Sequence, residues 1–243
     1  MILDLDIGNT RCKWRTQSMR GDERNAGYCT LEGLLTQEFA CALANPPRRI
    51  RVSCVRAQDV ESAVREWGVG SFGIQPEFAV AEACRGGVTN AYSEPHRLGV
   101  DRWLAMLAAF AELQTSLCVI DCGSAITADL VAADGRHLGG YIAPGLDMLR
   151  GALLKHTAKV RFDAMAPALE LLPGTSTKHG VAAGTTLAVL GMVGKIIQTS
   201  RQLCANPRIV FTGGDGALIR EAVEQPSEYR AELVIDGLAI ALP

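Results

Sequence analysis

The chain has 243 residues, of which 48% are apolar and 21% charged, and its formal net charge is −2. These are the proportions of an ordinary globular protein, and the near-neutral charge without a basic stripe argues against a dedicated nucleic-acid-binding protein. The length allows one large domain or two small ones. Because Asp4 and Asp6 interrupt the first apolar run, no secretory signal peptide is predicted.

The eight cysteines form neither a metal-binding nor a disulfide pattern. None stands in a C-x-x-C arrangement and no histidine pair has ligand spacing, so a zinc site is not expected. The longest uncharged stretch, residues 180–194, is too short and too rich in Gly and Thr to cross a bilayer. We therefore expect a reduced, cytoplasmic protein with no membrane partner.

The chain begins with a strand that ends in a carboxylate. Residues 1–6 (MILDLD) are typical of a largely apolar strand that ends in Asp6. Residues 8–10 (Gly-Asn-Thr) form a turn, and residues 11–15 continue as a second strand. Glycine lets a ligand approach the backbone, and successive exposed N–H groups form an anion-binding concavity. A single Asp-x-Gly hairpin is, however, also common turn chemistry without a function.

The segments that follow this hairpin alternate between helix and strand. Their spacing predicts helices at residues 31–43 and 58–67 and strands at residues 49–55 and 78–81. A G-x-G-x-x-G pattern at residues 68–73 has the letters of a dinucleotide-binding loop. Because it follows a helix, and because Pro76 stands where a helix would have to run, we interpret it as an ordinary loop.

A strong amphipathic helix is predicted from Val100 to residue 111, after a loop that Gly99 ends. Asp101 and Arg102 lie in its first turn. A carboxylate at this position is either a functional group or a residue that only complements the helix dipole, worth about 0.3–1 kcal/mol. The helical pattern by itself leaves both interpretations open.

The hairpin pattern recurs near the middle of the chain. Residues 117–120 are an apolar run that ends in Asp121, Gly123 and Ser124 form a small-residue turn, and an alternating segment follows at 126–131. Two copies about half a chain apart are much less expected by chance than one. A carboxylate beside such a turn suits a cation that accompanies a phosphate.

The rest of the chain is predicted to form a second α/β lobe. We expect helices at residues 146–154, 180–203 and 217–223 and a last clear strand at residues 209–211, after which residues 233–242 close the fold. The N-terminal lobe would comprise residues 1–115 and the C-terminal lobe residues 116–243. The small residues of the helix at 180–203 would let it pack closely on a sheet or on a partner chain.

The duplicated phosphate hairpin resembles the actin-like ATPase and sugar-kinase superfamily. That resemblance implies an α/β, two-lobed, ribonuclease-H-like duplicated fold with mixed sheets flanked by helices and a nucleotide between the lobes. The superfamily's adenosine motif, a strand followed by a Gly-rich turn, is matched by residues 208–216.

Five motifs in order resemble type III pantothenate kinases more specifically: DIGNT (6–10), GVDR (99–102), DCGSAITADL (121–130), GGYIAPG (139–145) and GTST (174–177). Two positions depart from the family pattern. Ser124 stands where Thr is usual, which keeps the hydroxyl, and Gly180 stands where Ala is commoner. The resemblance implies phosphorylation of the 4′ hydroxyl of pantothenate by ATP, the first step of coenzyme A biosynthesis.

The resemblance also assigns roles to individual residues. Asp101 would be the catalytic base, Asp121 would bind a monovalent cation (K⁺ or NH₄⁺), and Asp6 would hold Mg²⁺ directly or through water. The implied ATP-binding residues are Asp6, Gly8, Asn9, Thr10, Lys13, Gly123 and Ser124. The implied pantothenate-binding residues are Tyr92, Gly99, Val100, Arg102 and Thr177.

The same resemblance implies a homodimer in which the partner chain completes the pantothenate pocket. The predicted helices at 100–111 and 180–203 are candidates for that interface, and no nucleic-acid partner is expected. Two alternatives remain open. One is another small-molecule kinase or a phosphatase of the superfamily, against which GVDR and the short chain argue; the other is a nucleotide-binding accessory factor for transcription.

Overall fold

The computed structural model describes residues 1–18, 24–157, 160–161 and 169–243. The chain divides into two compact units, Met1–Glu112 together with Glu232–Pro243, and Leu113–Ala231. Each unit contains a five-stranded sheet with parallel and antiparallel neighbours, and each includes helices. The predicted α/β fold class with mixed sheets and helices is therefore confirmed.

The regular elements follow one another along the chain, and we number them in that order. They are β1 (Ile2–Ile7), β2 (Cys12–Gln17), β3 (Arg24–Cys29), α1 (Leu31–Leu34), α2 (Gln37–Ala42), β4 (Arg49–Cys54), α3 (Gln58–Phe72), β5 (Glu77–Phe78), β6 (Cys84–Arg85), β7 (Val88–Thr89), α4 (Val100–Leu113), β8 (Leu117–Cys122), β9 (Ala125–Val131), β10 (His137–Pro144), α5 (Leu146–His156), α6 (Thr177–Leu203), β11 (Arg208–Thr212), α7 (Gly216–Ala222), β12 (Glu228–Tyr229) and α8 (Leu233–Ala241).

The first unit is built on a sheet with the strand order β3-β2-β1-β4-β5. Strand β1 is antiparallel to β2 and parallel to β4. Side chains alternate between the two faces of a strand, so Leu3, Leu5 and Ile7 share one face of β1, where they are fully buried in an apolar core. Asp4 and Asp6 consequently share the opposite face.

Asp4 is the centre of a buried ionic network. Its carboxylate accepts hydrogen bonds from Arg15 Nη2 at 3.2 Å and from Arg51 Nε at 2.8 Å. Arg15 also pairs with Glu232 and Asp236, on either side of the start of α8. Moving α8 away from the sheet would leave a buried charge without a partner, which is costly. These ion pairs therefore hold α8 against the sheet.

Helix α8 therefore groups with the first unit. The predicted boundary instead placed all residues after 115 in the C-terminal lobe, as their position in the chain suggested. The difference arises because the partners of Asp236 and Glu232 lie more than 200 residues earlier in the chain.

The second unit is built on a sheet with the strand order β10-β9-β8-β11-β12. Strand β8 is antiparallel to β9 and parallel to β11, so that Asp121 lies beside Thr127 on one side and Thr212 on the other. Helix α6 packs on this sheet through fully or almost fully buried side chains such as Val189, Val193 and Ile197. Strand β11, a glycine turn and α7 follow one another as predicted.

Helix α6 begins at Thr177, three residues before the predicted start, because Ser176 caps it by accepting the N–H of His179 at 3.3 Å. Among the described residues it is the one helix whose length and composition would allow it to span a membrane. Half of its most apolar window is buried inside the protein, as in the core helix of a globular unit.

Two predictions about local structure are wrong. The G-x-G-x-x-G stretch is not a loop: its first five residues are the last turns of α3, and Gly73 ends that helix with φ +69°, where its N–H donates to Val69 O. The predicted helix at 31–43 is two short helices, α1 and α2, because Thr30 and Thr36 each cap a separate start.

Candidate active site

The turn of the first hairpin is closed by its own backbone. The Gly8 N–H donates to Arg11 O at 3.2 Å, and a Cβ atom at Gly8 would stand 3.1 Å from the same oxygen. We expected this N–H to point toward a phosphate; in the structure it closes the turn instead. Asn9 and Thr10, at the tip of the turn, are exposed.

Asp6 is the next-to-last residue of β1, before this turn, and lies between Lys13 on β2 and Ser53 on β4. The pKa of Asp6 is raised to about 6, chiefly by burial. The negative charge of Asp101 also raises this pKa, while the Ser53 hydroxyl and the Lys13 ammonium lower it. The ionised form of Asp6 is therefore incompletely compensated, which suits a carboxylate that binds a cation.

The oxygen chemistry around Asp6 fits Mg²⁺, which prefers carboxylate oxygens and keeps several of its waters. No group of three or more His, Cys, Asp or Glu side chains able to hold a metal occurs in the described ranges. An ion at Asp6 would thus complete its coordination with water and phosphate oxygens.

Lys13 is held from two sides. Its Nζ lies 3.6 Å from Glu232 Oε1 and 5.5 Å from the centre of the Tyr28 ring. The Lys13 side chain is 11% exposed. Neither of these neighbours was predicted from the sequence.

Helix α4 begins with a carboxylate in its first turn. Gly99 O accepts the N–H of Trp103 at 3.0 Å, and Asp101 Oδ1 accepts the N–H of Arg102 at 2.7 Å. A Cβ atom at Gly99 would lie 2.7 Å from that carboxylate oxygen, so glycine makes room for Asp101. The helix dipole stabilises the charge of Asp101, and Asp101 is close enough to Asp6 to affect its pKa.

Arg102 and Tyr92 form a polar pair beside this helix start. Arg102 Nη1 donates to Tyr92 Oη at 3.1 Å, and the Tyr92 N–H donates to Asn90 Oδ1 at 3.0 Å. Arg102 is only 6% exposed although it carries a full charge. The first unit thus contains Asp6, Lys13 and Asp101 together with the predicted substrate residues Tyr92, Gly99, Val100 and Arg102.

The second hairpin repeats the closure of the first. The Gly123 N–H donates to Ala125 O at 3.1 Å, so the glycine N–H is again bonded within the turn. Asp121 Oδ1 lies against the backbone of two glycines. A Cβ atom at Gly213 would stand 2.3 Å from this oxygen, and a Cβ atom at Gly123 would stand 3.5 Å from it. Gly213 also has φ +85°, so both its conformation and its surroundings require glycine.

Asp121 is a carboxylate with a backbone carbonyl oxygen nearby, and such oxygen groups are the ligands that hard cations prefer. The carbonyl oxygen of Cys122 is part of this region, because a Cβ atom at Gly213 would stand 2.6 Å from it. The glycines thus let the backbone approach the Asp121 carboxylate closely.

The G-G-Y-I-A-P-G segment ends against the second hairpin. The Gly145 N–H donates to Ser124 O at 3.0 Å, and α5 begins at the next residue. Thr177, the predicted substrate residue of this unit, is exposed at the start of α6. The preceding loop folds tightly onto that helix, because a Cβ atom at Gly174 would stand 2.2 Å from Gly180 N.

Sequence reasoning missed Ser53, Tyr28 and Glu232. Ser53 had a usable signal, since it lies near the end of a strand parallel to β1 and the carboxyl ends of parallel strands meet at one edge of a sheet. Tyr28 and Glu232 had none, because their position beside Lys13 depends on strand pairing and on the return of α8.

Comparison with known proteins assigns the family. The sequence model described as type III pantothenate kinase matches residues 2–199. The chain is 40% identical over 248 residues to a type III pantothenate kinase of Ectopseudomonas mendocina and 39% identical over 253 residues to that of Pseudomonas fluorescens. Both matches cover 100% of this chain and 99% of the relative.

Solved structures share the fold at low sequence identity. A Campylobacter jejuni protein described as a Baf family transcriptional activator has a TM-score of 0.62 at 20% identity, over 98% of this chain and 95% of that one. A Sinorhizobium meliloti protein assigned as a 2-dehydro-3-deoxygalactonokinase has a TM-score of 0.57 at 14% identity, over 99% and 98%. The full-length matches at 39–40% identity decide the family: the chain belongs to the type III pantothenate kinases.

Proposed function

We propose that this kinase transfers the terminal phosphoryl group of ATP to the 4′ hydroxyl of pantothenate, the first step of coenzyme A biosynthesis. The observation that carries the proposal is the Asp6–Asp101 pair in the first unit of a chain that belongs to this family. Phosphoryl transfer depends on positioning, charge neutralisation and an oriented nucleophile. Asp6 would hold the cation that neutralises phosphate charge, and Asp101 would orient the nucleophile.

Asp101 is the proposed base. Its Oδ1 is fixed by the Arg102 N–H, so the carboxylate is oriented before substrate binds. It would accept the proton of the pantothenate hydroxyl as the new P–O bond forms, a contribution of roughly 10²–10⁴-fold. This role is favoured over that of a helix-start residue because Asp101 is close enough to Asp6 for its negative charge to raise the pKa of Asp6.

Arg102 and Tyr92 are the proposed pantothenate ligands of the first unit. Thr177 is the proposed pantothenate ligand of the second unit. A guanidinium pairs strongly with a carboxylate, and pantothenate carries one. The 3.1 Å hydrogen bond to the Tyr92 hydroxyl keeps the Arg102 guanidinium in a defined orientation. Gly99 and Val100 contribute backbone to the same helix start.

The two hairpin turns are the proposed phosphate ligands. The proposed ligands are Asn9, Thr10 and Lys13 in the first unit and Ser124 in the second unit. Gly8 and Gly123 close the two turns with their own N–H groups. When bound, Mg²⁺ at Asp6 would neutralise phosphate charge, and a K⁺ or NH₄⁺ ion at Asp121 would do the same beside the second turn. The support is the incompletely compensated charge of Asp6 and the close approach of the glycine backbone and the Cys122 carbonyl oxygen to Asp121.

A homodimer is also proposed. Large apolar side chains are exposed on three elements of the second unit, with Tyr141 and Ile142 on β10, Met148 on α5 and Leu187 on α6. Exposed apolar surface of this kind is typical of an interface. Helix α4, the other element that we had assigned to the interface, is unsuitable because its residues 102–110 are all buried.

We further propose that the protein works in the cytoplasm without a membrane or nucleic-acid partner. The net charge of −2 supports the absence of nucleic acid, and the burial of half of the apolar window of α6 supports a core role for that helix.

A coupled ADP-release assay tests the proposed function. ATP, Mg²⁺ and K⁺ are supplied with and without pantothenate, and the product is identified by mass spectrometry. We expect ADP release that requires pantothenate and a product heavier by one phosphoryl group. ADP release that is equal without pantothenate, or that requires a different acceptor from a panel of alcohols and sugars, would contradict the assignment.

A further inference from the structure

One face of the first sheet carries two parallel rows of polar side chains. The first row consists of Asp4 with Arg15 and Arg51, its neighbours in register on β2 and β4. The second row consists of Asp6 with Lys13 and Ser53 in the same arrangement. Because Asp4 and Asp6 are two residues apart on one strand, both rows face the same side.

The two rows differ in their surroundings. The first is buried under α8, with Asp4, Arg15 and Arg51 each at most 3% exposed. The second contains the proposed Mg²⁺ ligand and the proposed phosphate ligand, Lys13. The first row is therefore a buried, ion-paired support, and the second contains residues that we propose to bind ATP and its Mg²⁺.

Glu232 connects the two rows. Its Oε2 lies 3.0 Å from Arg15 Nη1 in the first row, and its Oε1 lies 3.6 Å from Lys13 Nζ in the second. Glu232 occupies the N-cap position of α8, yet its side chain makes no capping hydrogen bond to that helix. The carboxylate is directed to the two cations instead.

The position of Lys13 is restricted by these contacts. A lysine ammonium is a compact charge on a flexible four-carbon stem, so a free Lys13 would sample many positions. With Glu232 at 3.6 Å and the Tyr28 ring at 5.5 Å, the ammonium is held close to the strand that also carries the turn. Arg15 in turn holds Glu232, because Arg15 is itself fixed by Asp4 and by Ile235 O.

We propose that Glu232 is a positioning residue that holds the Lys13 ammonium in the orientation that binds ATP phosphate. The proposal rests on the proposed role of Lys13 in ATP binding. It gives α8 a part in nucleotide affinity although α8 supplies no ligand of its own. A carboxylate that merely cancelled the charge of Lys13 would have the opposite effect, since its removal would tighten ATP binding.

The test compares Glu232→Gln with Asp236→Asn. Asp236 is a matched control, because it lies one helical turn beyond Glu232 and also pairs with Arg15 Nη1. The dissociation constant of Mg-ATP is measured by equilibrium titration without pantothenate, together with the melting temperature of each variant. We expect Glu232→Gln to weaken ATP binding roughly tenfold, as for loss of one contact to a charged group, and Asp236→Asn to leave it within about twofold.

A double-variant cycle separates positioning from support of the fold. In a Lys13→Met background, Glu232→Gln should no longer change the dissociation constant of Mg-ATP, whereas Glu232→Asp in the wild-type background should retain part of the affinity. Tighter or unchanged ATP binding in Glu232→Gln, an equal loss in Asp236→Asn, or an undiminished effect in the Lys13→Met background would each overturn the proposal. The binding measurement contains no pantothenate, so it tests the role of Glu232 whichever acceptor the protein phosphorylates. Phosphorylation of a different acceptor would refute the proposed function without affecting this test.

Discussion

Gly145 lies directly against Gly123: a Cβ atom at Gly145 would stand 2.4 Å from the carbonyl oxygen of Gly123. The Gly145 N–H is bonded to the carbonyl oxygen of the next residue, Ser124, at 3.0 Å. The end of β10 and the start of α5 are thus built onto the turn of the second hairpin. Any side chain at position 145 has to displace backbone and not a flexible neighbour.

We therefore expect Gly145→Ala to lower the free energy of unfolding by about 1–3 kcal/mol, the usual cost of overpacking. Gly151→Ala is the matched control, because Gly151 lies in α5, where a Cβ atom would meet no described atom within 4 Å beyond the helix's own backbone. In a helix that change should stabilise by about 0.5–1 kcal/mol. Urea unfolding of both variants measures the difference, and equal stabilities would show that the turn can shift to accept a methyl group.

Asp101→Asn should fold and bind ATP but lose most turnover. The amide keeps the shape of the carboxylate, and its oxygen can still accept the Arg102 N–H, so the loss of helix-dipole energy should stay below about 1 kcal/mol. Because an amide cannot accept the hydroxyl proton, kcat should fall by roughly 10²–10⁴-fold.

Steady-state kinetics and a melting curve of Asp101→Asn distinguish the two roles of this residue. A large fall in kcat with an unchanged melting temperature supports the base. Near-normal turnover with a lowered melting temperature would instead show that Asp101 only stabilises the start of α4.

Activity should require a monovalent cation of the size of K⁺. The reason is the Asp121 carboxylate, which lies beside the Gly213 backbone in a space that a side chain would fill. Initial rates are compared in K⁺ and in Na⁺ at equal ionic strength, for the wild type and for Asp121→Ala. Equal rates in both buffers, or an unaltered K⁺ response in Asp121→Ala, would count against a cation at this site.

The protein should be a dimer at micromolar concentration, with twice the 25.9 kDa mass of one chain. Ile142 is 67% exposed on β10, and Ile142→Glu should shift the mass toward the monomer because it places a charge in an apolar interface. Val80→Glu is the control, since Val80 is 61% exposed in the first unit. Light scattering after size exclusion gives the mass; a wild-type monomer would refute the dimer.

Features that depend on a few adjacent residues were predictable from the sequence. Each phosphate hairpin combines an apolar strand, a carboxylate and a small-residue turn, and the structure has strands on both sides of each turn. The start of α4 was equally clear, because Gly99 stops the preceding segment and a strong apolar periodicity follows.

The end of α3 shows where local composition misleads. The preceding helical pattern and Pro76 predicted a loop at residues 68–73, yet each of its three glycines lies in or at the end of a helix. At Gly68 the packing of Pro76 requires a small residue, because a Cβ atom there would stand 2.5 Å from Pro76 Cγ. Gly73 supplies the left-handed conformation that ends α3. Both reasons lie in packing that a residue pattern does not display.

Contacts between distant parts of the chain were not predictable. The 3.0 Å pair between Arg15 and Glu232 joins residues 217 positions apart, and no periodicity or motif marks either of them. The same holds for the position of Lys13, because Glu232 becomes its neighbour only when α8 packs on the first sheet.

The return of α8 to the first unit has a consequence for synthesis on the ribosome. The second unit is continuous in the chain, whereas the first needs a helix that is translated after all of residues 113–231. At about 5–20 residues per second, those residues take roughly 6–24 s to translate. During that delay Arg15 has emerged without Glu232 and Asp236, so we expect the unit that is translated first to be the one that folds last.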